Sequence, residues 1–501
     1  MRSAAVIASA ALALARHSSA EKSKCKAYVS SETLQDLINI EDLLAGSQKL
    51  QDFADANGGT RVFGSGGHNA TVDYIFDTLS ALDYYDVVKQ PFVELFFTGS
   101  STLSVNGVDS EPGVLSYSPA GTAKAPLVAV SNVGCDLADF PAEVEGNIAL
   151  ISRGTCSFAI KATNAKTAGA AAAIVYNNVE GTVSGTLGAP SPDFAPVVGI
   201  TLEQGNTLLA ALASGEVIAD LVIDTVTENR TNFNVIAETK GGDGNNVLML
   251  GAHTDSVAAG PGINDDGSGT IGTLTVAVAL SKFSVKNKVR FGFWGAEEFG
   301  KLGSYYYIKQ LNSSDSELAK IRAYLNFDMI ASPNYRYGIY DGDGSSYNLS
   351  GPAGSAELEK TFEDFLTSKN TPFVGAEFTG RSDYAAFIEN GIPAGGIATG
   401  AEGLKTEAEA ALFGGEAGVA YDVNYHQAGD TIDNLALDAY LLITKGIADA
   451  VAKYALSFDT LPPVDHAKRR WAADRAQLFK RVTSNHAHSH SGPCGETQDT
   501  M

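Results

Sequence analysis

Residues 288–300 read KVRFGFWGAEEFG, an apolar, strand-like run that ends in two adjacent carboxylates, Glu297 and Glu298. Like charges side by side repel, and a carboxylate left unsolvated beside a core is costly. A strand that ends this way asks what its surroundings supply. The answer lies in the segments to either side.

From Asn234 to about Phe458, strands and helices alternate. NNVLMLGAH is a strand and GTIGTLTVAVALSKF an apolar helix. KVRFGFWGAEE is a strand and LGSYYYIKQL a helix. AYLNFDMI, GSAELEKTFEDFLTSK and GGIAT continue the pattern, and LALDAYLLITKGIADAVAKYAL is a long amphipathic helix that closes it. Such alternation predicts an α/β fold with a mostly parallel sheet and helices on both faces. Residues 113–225 shift to Ala, Gly and Val. Within them GNIALISRGTCSFAIKATNAKTAGAAAAIVYNN reads as strand, small helix and strand, a compact β/α module without a catalytic cluster. Residues 16–112, which begin with a helical pattern, are assigned to the same domain as 226–458, interrupted by this module. Residues 459–501 contain Pro-Pro, a basic stretch and HAHSHSG, and are expected to form a disordered tail.

The chain has 501 residues, 44% hydrophobic and 19% charged, which suits a globular protein larger than one ordinary domain. Its 58 acidic and 35 basic residues give a net charge of -23, which argues against nucleic acid and anionic membranes as partners. Residues 1–15, MRSAAVIASAALALA, have the pattern of a secretory signal peptide and fall short of the ~20 apolar residues that span a bilayer. Secretion is expected, with delivery to a vacuolar or lysosomal lumen as the alternative. Sequons at Asn69, Asn229, Asn312 and Asn348 fit that route as glycosylation sites. Of four cysteines, Cys135 and Cys156 share the middle module and are paired. A Cys25–Cys494 bridge stays open.

Ligands of open α/β sheets sit beyond the carboxyl ends of the strands. Those ends carry His253 and Asp255, then Asp265 and Asp266 in the Gly-rich loop PGINDDGSG, then Glu297 and Glu298, then Asp328. His426 lies in VNYHQAGDT, before the last helix. Singly, each has a bland explanation: a satisfied polar residue, a turn, a solvated face. Together, carboxylates over one sheet edge repel unless a cation neutralises them. Two His and three carboxylates form an N/O set that suits zinc, with manganese or cobalt as substitutes, and five ligands fit two metals sharing one carboxylate. One of the adjacent glutamates would bind metal and its neighbour would act as general base.

The set HTDS, NDDGSG, EE, NFDM and YHQAGDT, with 12 positions from His253 to Asp265, resembles the co-catalytic di-zinc aminopeptidases. These include bacterial aminopeptidase S, yeast vacuolar aminopeptidase Y and the fungal secreted leucine aminopeptidases. The resemblance extends to SGGHNATVDYI near the start. The middle module, through RGTCSFAIKATNAKTAGA, is similar to the protease-associated (PA) domain. The resemblance implies two zinc ions per chain. His253 and Asp328 would hold one, Glu298 and His426 the other, and Asp265 would bridge. It implies Glu297 as general base, Tyr425 as oxyanion donor and Asp255 as the residue orienting His253. Glu297, Asp328 and the backbone around Arg381 would hold the α-amine of the substrate. It implies a cis Asp265–Asp266 peptide and a monomer acting on peptides with a free N-terminus. Where some relatives carry a Cys pair around the last His, this chain has Asn424 and Ala428. Trp294, Phe299 and Tyr384 line an apolar pocket or belong to the core. A single-zinc glutaminyl cyclase and a non-catalytic receptor on the same scaffold are the alternative functions, and a metal count separates all three.

Overall fold

The computed structural model describes residues 26–311 and 315–463. The expected signal segment 1–15, Cys25, Asn312, Cys494 and the expected tail beyond 463 lie outside them.

The central sheet is mixed and mostly parallel. Its strands run in the order Val374–Ala376, Gly338–Tyr340, Ala394–Ala398, Ile321–Asn326, Asp243–His253, Asn287–Trp294 and Ile218–Thr239. The four from Ala394–Ala398 to Asn287–Trp294 pair in parallel, so their carboxyl ends share one edge. Period-2 alternation along them divides two apolar cores. Leu248, Leu250, Val289, Phe291, Phe293, Ala323 and Leu325 face the helices Ile40–Asp55, Gly267–Leu280, Ser355–Ser368 and Leu437–Leu456. Met249, Trp294 and Tyr324 face the other way, toward Tyr307, Ile308 and Phe387. Trp294 is fully buried there, its Nε1 donating to the Tyr324 hydroxyl at 2.9 Å. It fits because its neighbours are glycines: a Cβ on Gly292 would lie 2.3 Å from the indole.

Residues 113–217 build a second, smaller layer. Gly121–Ala129, Ile148–Ser152, Ala172–Tyr176 and Val197–Ile200 pair in parallel, with Gly113–Val114 antiparallel at the edge. The helices Phe158–Thr167 and Leu202–Ser214 pack on this sheet. Cys135 and Cys156 form the expected disulfide.

The two layers are joined by a feature that the motifs did not announce. Tyr85–Val105 and Ile218–Thr239 form an unbroken antiparallel ribbon, from Tyr85 opposite Thr239 to Val105 opposite Ala219. At one end, Ile218–Thr239 pairs with the central strand Asn287–Trp294. At the other it pairs with Gly121–Ala129 of the small layer. The strand therefore runs through residue 225 without interruption.

Helix Gly267–Leu280 starts directly beneath the sheet edge, with Asp266 as N-cap. Its closest approach is at Gly269, where a Cβ would sit 2.0 Å from the Phe327 carbonyl oxygen and 2.3 Å from Asp266 Oδ1. Alanine ordinarily improves a helix interior by ~1 kcal/mol over glycine. Here the obstacle is backbone, which cannot swing aside, so overpacking dominates. Gly269→Ala is expected to lower unfolding stability by about 1–3 kcal/mol in urea titrations. A stabilised variant would refute this packing.

Candidate metal centre

The carboxyl ends of the parallel strands bring the predicted residues together. His253 ends its strand, Glu297 and Glu298 follow Asn287–Trp294, and Asp328 follows Ile321–Asn326. Asp265 precedes the helix Gly267–Leu280, and His426 sits in the loop before Leu437–Leu456, with φ +57°. Asp265 occupies the middle. Its Oδ1 lies 3.1 Å from Nε2 of His253 and its Oδ2 lies 3.1 Å from Nε2 of His426. Two groups result, each with ligand atoms within 4.8 Å of one another: His253, Asp265 and Asp328, and Asp265, Glu298 and His426. The two triads share Asp265. Glu298 Oε2 is 3.1 Å from His426 Nε2, whereas Glu297 Oε2 is 3.9 Å from His253 Nε2. The adjacent glutamates thus face different histidines. Positive φ at Ala296, +58°, helps turn the chain sharply enough for this. The Asp265–Asp266 peptide is cis.

Backbone amides around the ligands are caught by carboxylates, most of them from another segment. Asp266 accepts from His253 N–H at 3.0 Å, Gly269 N–H at 2.9 Å and Met329 N–H at 3.1 Å. Asp430 accepts from Asn264 N–H at 2.8 Å and Asp265 N–H at 3.0 Å. Asp255 Oδ1 accepts from Glu297 N–H at 3.0 Å and lies 3.6 Å from His253 Nδ1. Ser382 donates to Asp328 Oδ2 at 2.5 Å. In the loop that some relatives tie with a cysteine pair, hydrogen bonds hold the chain. Asn424 N–H donates to Asp422 Oδ1 at 2.8 Å, and Asn424 Nδ2 to Asn434 Oδ1 at 2.6 Å. The Tyr425 ring stacks on the His426 ring, 3.7 Å between centroids. Arg381 donates to the Tyr425 hydroxyl at 3.1 Å and to Glu402 Oε1 at 2.6 Å.

The electrostatics are those of a site built around cations. Burial, reinforced by neighbouring carboxylates, pushes Glu297 well above the usual carboxylate range and Asp328 up to about 6. It also raises Asp383 to about 7 and Asp430 to about 8. Burial opposes charge on His253, but Asp255, Asp265, Asp328 and Glu297 overcome it and raise its pKa well above the ordinary value. Burial alone would also raise Asp265, yet the two histidines hold it well below its usual range. Shifts of this size, gathered over one sheet edge, mark a functional site.

Several residues that matter here were not singled out from the sequence. Asp430 lay inside the quoted stretch YHQAGDT without an assigned role. Arg61, in TRVFGSGGH, is fully buried. It donates to the carbonyls of Pro261 at 2.9 Å and Gly262 at 2.5 Å, and also to that of Thr254. A lone arginine in an apolar stretch was the only signal. Trp294 and Tyr384 resolve as core, and Phe299 is a half-buried partner of Phe63, 5.2 Å between rings. Of the sequons, Asn229 and Asn348 are exposed and Asn69 is half-buried in helix Gly66–Ser80.

Two triads able to hold a metal and sharing one aspartate, over the carboxyl edge of an α/β sheet, suit the class of metal-dependent hydrolases. Comparison with known proteins makes it specific. Residues 234–451 match the model of peptidase family M28, and residues 123–208 that of the PA domain. The chain is 53% identical to "Probable leucine aminopeptidase 2" of Aspergillus fumigatus, over 95% of both chains. It is 52% identical to "Leucine aminopeptidase 2" of Arthroderma otae, over 90% of this chain and 91% of that one. Among solved structures it is similar to the aminopeptidase of Aneurinibacillus sp. strain AM-1. That match has 29% identity and a TM-score of 0.66, covering 87% of this chain and 99% of that one. BSAP, a zinc aminopeptidase from Bacillus subtilis, matches at 26% identity and TM-score 0.58, over 85% and 95%. The chain belongs to peptidase family M28, and it is a metallo-aminopeptidase.

The Arg61 contacts generate a prediction. A lysine keeps the charge, but one ammonium cannot reproduce a planar fork that reaches three carbonyls. Each buried carbonyl left unpaired costs ~1–3 kcal/mol. Arg61→Lys is expected to lose roughly 2–4 kcal/mol of unfolding stability in guanidinium titrations. A loss below about 0.5 kcal/mol, the range of ordinary surface changes, would mean that the clamp contributes little.

Proposed function

We propose that the chain releases amino acids from the free N-terminus of peptides with two zinc ions held in the shared triads. The observation that supports this is Asp265, whose two oxygens are divided between His253 and His426. The residues fit such ions. The donors are imidazole and carboxylate, the set that suits zinc. Glu297 Oε1 and Asp255 Oδ2 are buried without a hydrogen-bond partner among the described residues, beside this cluster. His253 and Asp328 would hold one ion and Glu298 and His426 the other, with Asp265 common to both.

Zinc held by these residues would neutralise the carboxylates and supply an acidified water. Glu297 takes the proton of that water and passes it to the leaving amine. Tyr425 donates its hydroxyl to the oxygen on which negative charge develops. Asp255 orients His253 and, through the Glu297 N–H, also sets the base. Glu297, Asp328 and the backbone around Arg381 hold the α-amine, which restricts cleavage to the chain end. Specificity is proposed to be broad or leucine-preferring, in line with the names of its fungal relatives.

We place the enzyme outside the cell, acting as a monomer. The Cys135–Cys156 disulfide suits an oxidising compartment, and Asn229 and Asn348 present sequons on the surface. No helix among the described residues is long and apolar enough to cross a membrane. In domain terms, 113–225 is an insertion into a peptidase unit made of 16–112 and 226–458.

Elemental analysis beside kinetics tests the assignment. Asp265→Ala should lose both ions and nearly all activity. Glu297→Gln should keep its zinc and lose orders of magnitude in kcat, while Glu298→Gln loses zinc first. Equal metal content and equal residual rate in the two glutamine variants would overturn the division of roles.

A further inference from the structure

Glu402 lies far from the sheet edge in sequence motif and near it in space. It sits in the loop after strand Ala394–Ala398, and this loop is zipped to the segment that leads into Tyr425 and His426. Tyr421 N–H donates to the Gly403 carbonyl and Asp422 N–H to the Ala401 carbonyl, both at 2.9 Å. These bonds flank Glu402 on either side. Asp422 is itself anchored, since Asn264 Nδ2 donates to its Oδ2 at 2.6 Å, one residue before Asp265. Glu402 is therefore held at a set distance from Tyr425 by backbone rather than by chance side-chain contact.

Between the two carboxyl and phenol groups stands Arg381. One arm, Nη1, donates to Glu402 Oε1 at 2.6 Å. The other, Nη2, donates to the Tyr425 hydroxyl oxygen at 3.1 Å. The planar guanidinium makes both bonds in a fixed fork. The second bond has a consequence for the phenol. A hydroxyl that accepts from Arg381 must direct its own proton elsewhere. The Tyr425 ring is also stacked on that of His426, a candidate ligand. A hydroxyl that accepts from a cation is also a stronger donor, because linked hydrogen bonds polarise one another.

We propose that Glu402, Arg381 and Tyr425 form a relay, in which Glu402 and Arg381 are positioning residues that aim and polarise the Tyr425 hydroxyl for transition-state binding. This goes beyond the role assigned to the Arg381 backbone above and rests on Tyr425 as the oxyanion donor. The side chain of Arg381 then serves the tyrosine rather than the substrate. A guanidinium would repel an α-ammonium in any case.

A double-mutant cycle tests the relay in the zinc-loaded enzyme with an aminoacyl-anilide substrate, checking zinc content throughout. Tyr425→Phe deletes only the donor and should lower kcat by ~10²–10³ with much less change in KM. Arg381→Ala should lower kcat roughly 10- to 100-fold, the worth of a hydrogen bond to a charged group. Glu402→Gln should give a smaller loss of the same kind. In the Tyr425→Phe background, Arg381→Ala and Glu402→Gln should each leave kcat within about twofold, since the group they act through is gone. Arg381→Lys should recover part of the loss in the Tyr425 enzyme only. If Tyr425→Phe leaves kcat unchanged, the oxyanion assignment fails and the relay with it. If Tyr425→Phe lowers kcat but Arg381→Ala costs the same factor in both backgrounds, the assignment stands and the relay alone is overturned. A rise in KM without loss of kcat in Arg381→Ala would also overturn it, by showing a side chain that binds substrate.

Discussion

Three peptide N–H groups converge on one carboxylate, Asp266, and the arrangement of the site depends on it. One comes from His253, one from the first turn of helix Gly267–Leu280, and one from Met329, next to Asp328. A single buried side chain therefore sets the distance between two strand ends and the helix beneath them. The same device recurs at Asp430, which holds Asn264 and Asp265, and at Asp255, which holds Glu297. The helix N-terminus adds its partial positive charge under Asp265 and Asp266. Acidic groups can gather this densely only where each gains amides, a dipole or a cation. Asp266, Asp430 and Asp255 gain amides, and Asp265, Glu298 and Asp328 are the carboxylates grouped with the two histidines as candidate ligands.

Arg61 is the fixed cation of the same balance. Burial lowers its pKa, and Asp255, Asp430, Asp266 and Asp265 act in the opposite direction. It spends its donors on the loop 254–262, which separates His253 from Asp265, so it also governs the 12-residue interval between them. Part of the wall behind the Glu297–Glu298 turn comes from the ribbon. Phe92 and Phe96 on strand Tyr85–Val105 pack with Phe63 and Ala296, and Phe299 joins this cluster. The ribbon that carries the small layer is thus in contact with the turn that carries both glutamates.

The sequence made the candidate ligands legible because metal chemistry restricts residue types. His253, Asp265, Glu298, Asp328 and His426 end strands or precede helices, where period and position can be read directly. The α/β alternation was legible for the same reason: strands such as NNVLMLGAH and helices such as Gly267–Leu280 each satisfy one period. The residues that hold the ligands were not legible. Asp430 acts on amides 165 and 166 positions away, and Arg61 on carbonyls some 193 to 201 away. Neither distance leaves a local pattern. The ribbon was not legible because its alternation is irregular, as where exposed Glu228 and Asn229 stand opposite buried Phe96 and half-buried Leu95. Its pairing is a tertiary fact.

Two glutamates at the end of one strand do what one could not. A single side chain from that position could approach His253 or His426, but their near oxygens would not coincide. Adjacent residues leave an extended chain on opposite sides, and the turn at Ala296 keeps that divergence while bringing both side chains to the same edge. Glu298 then stands 3.1 Å from His426 and within 4.8 Å of the shared Asp265. Glu297 stands beside His253, farther off, with one oxygen lacking any hydrogen-bond partner among the described residues. The repulsion that made the pair look costly in sequence is what keeps its two members apart in role. Glu298 is grouped with Asp265 and His426 as a candidate ligand, while burial gives Glu297 a raised proton affinity.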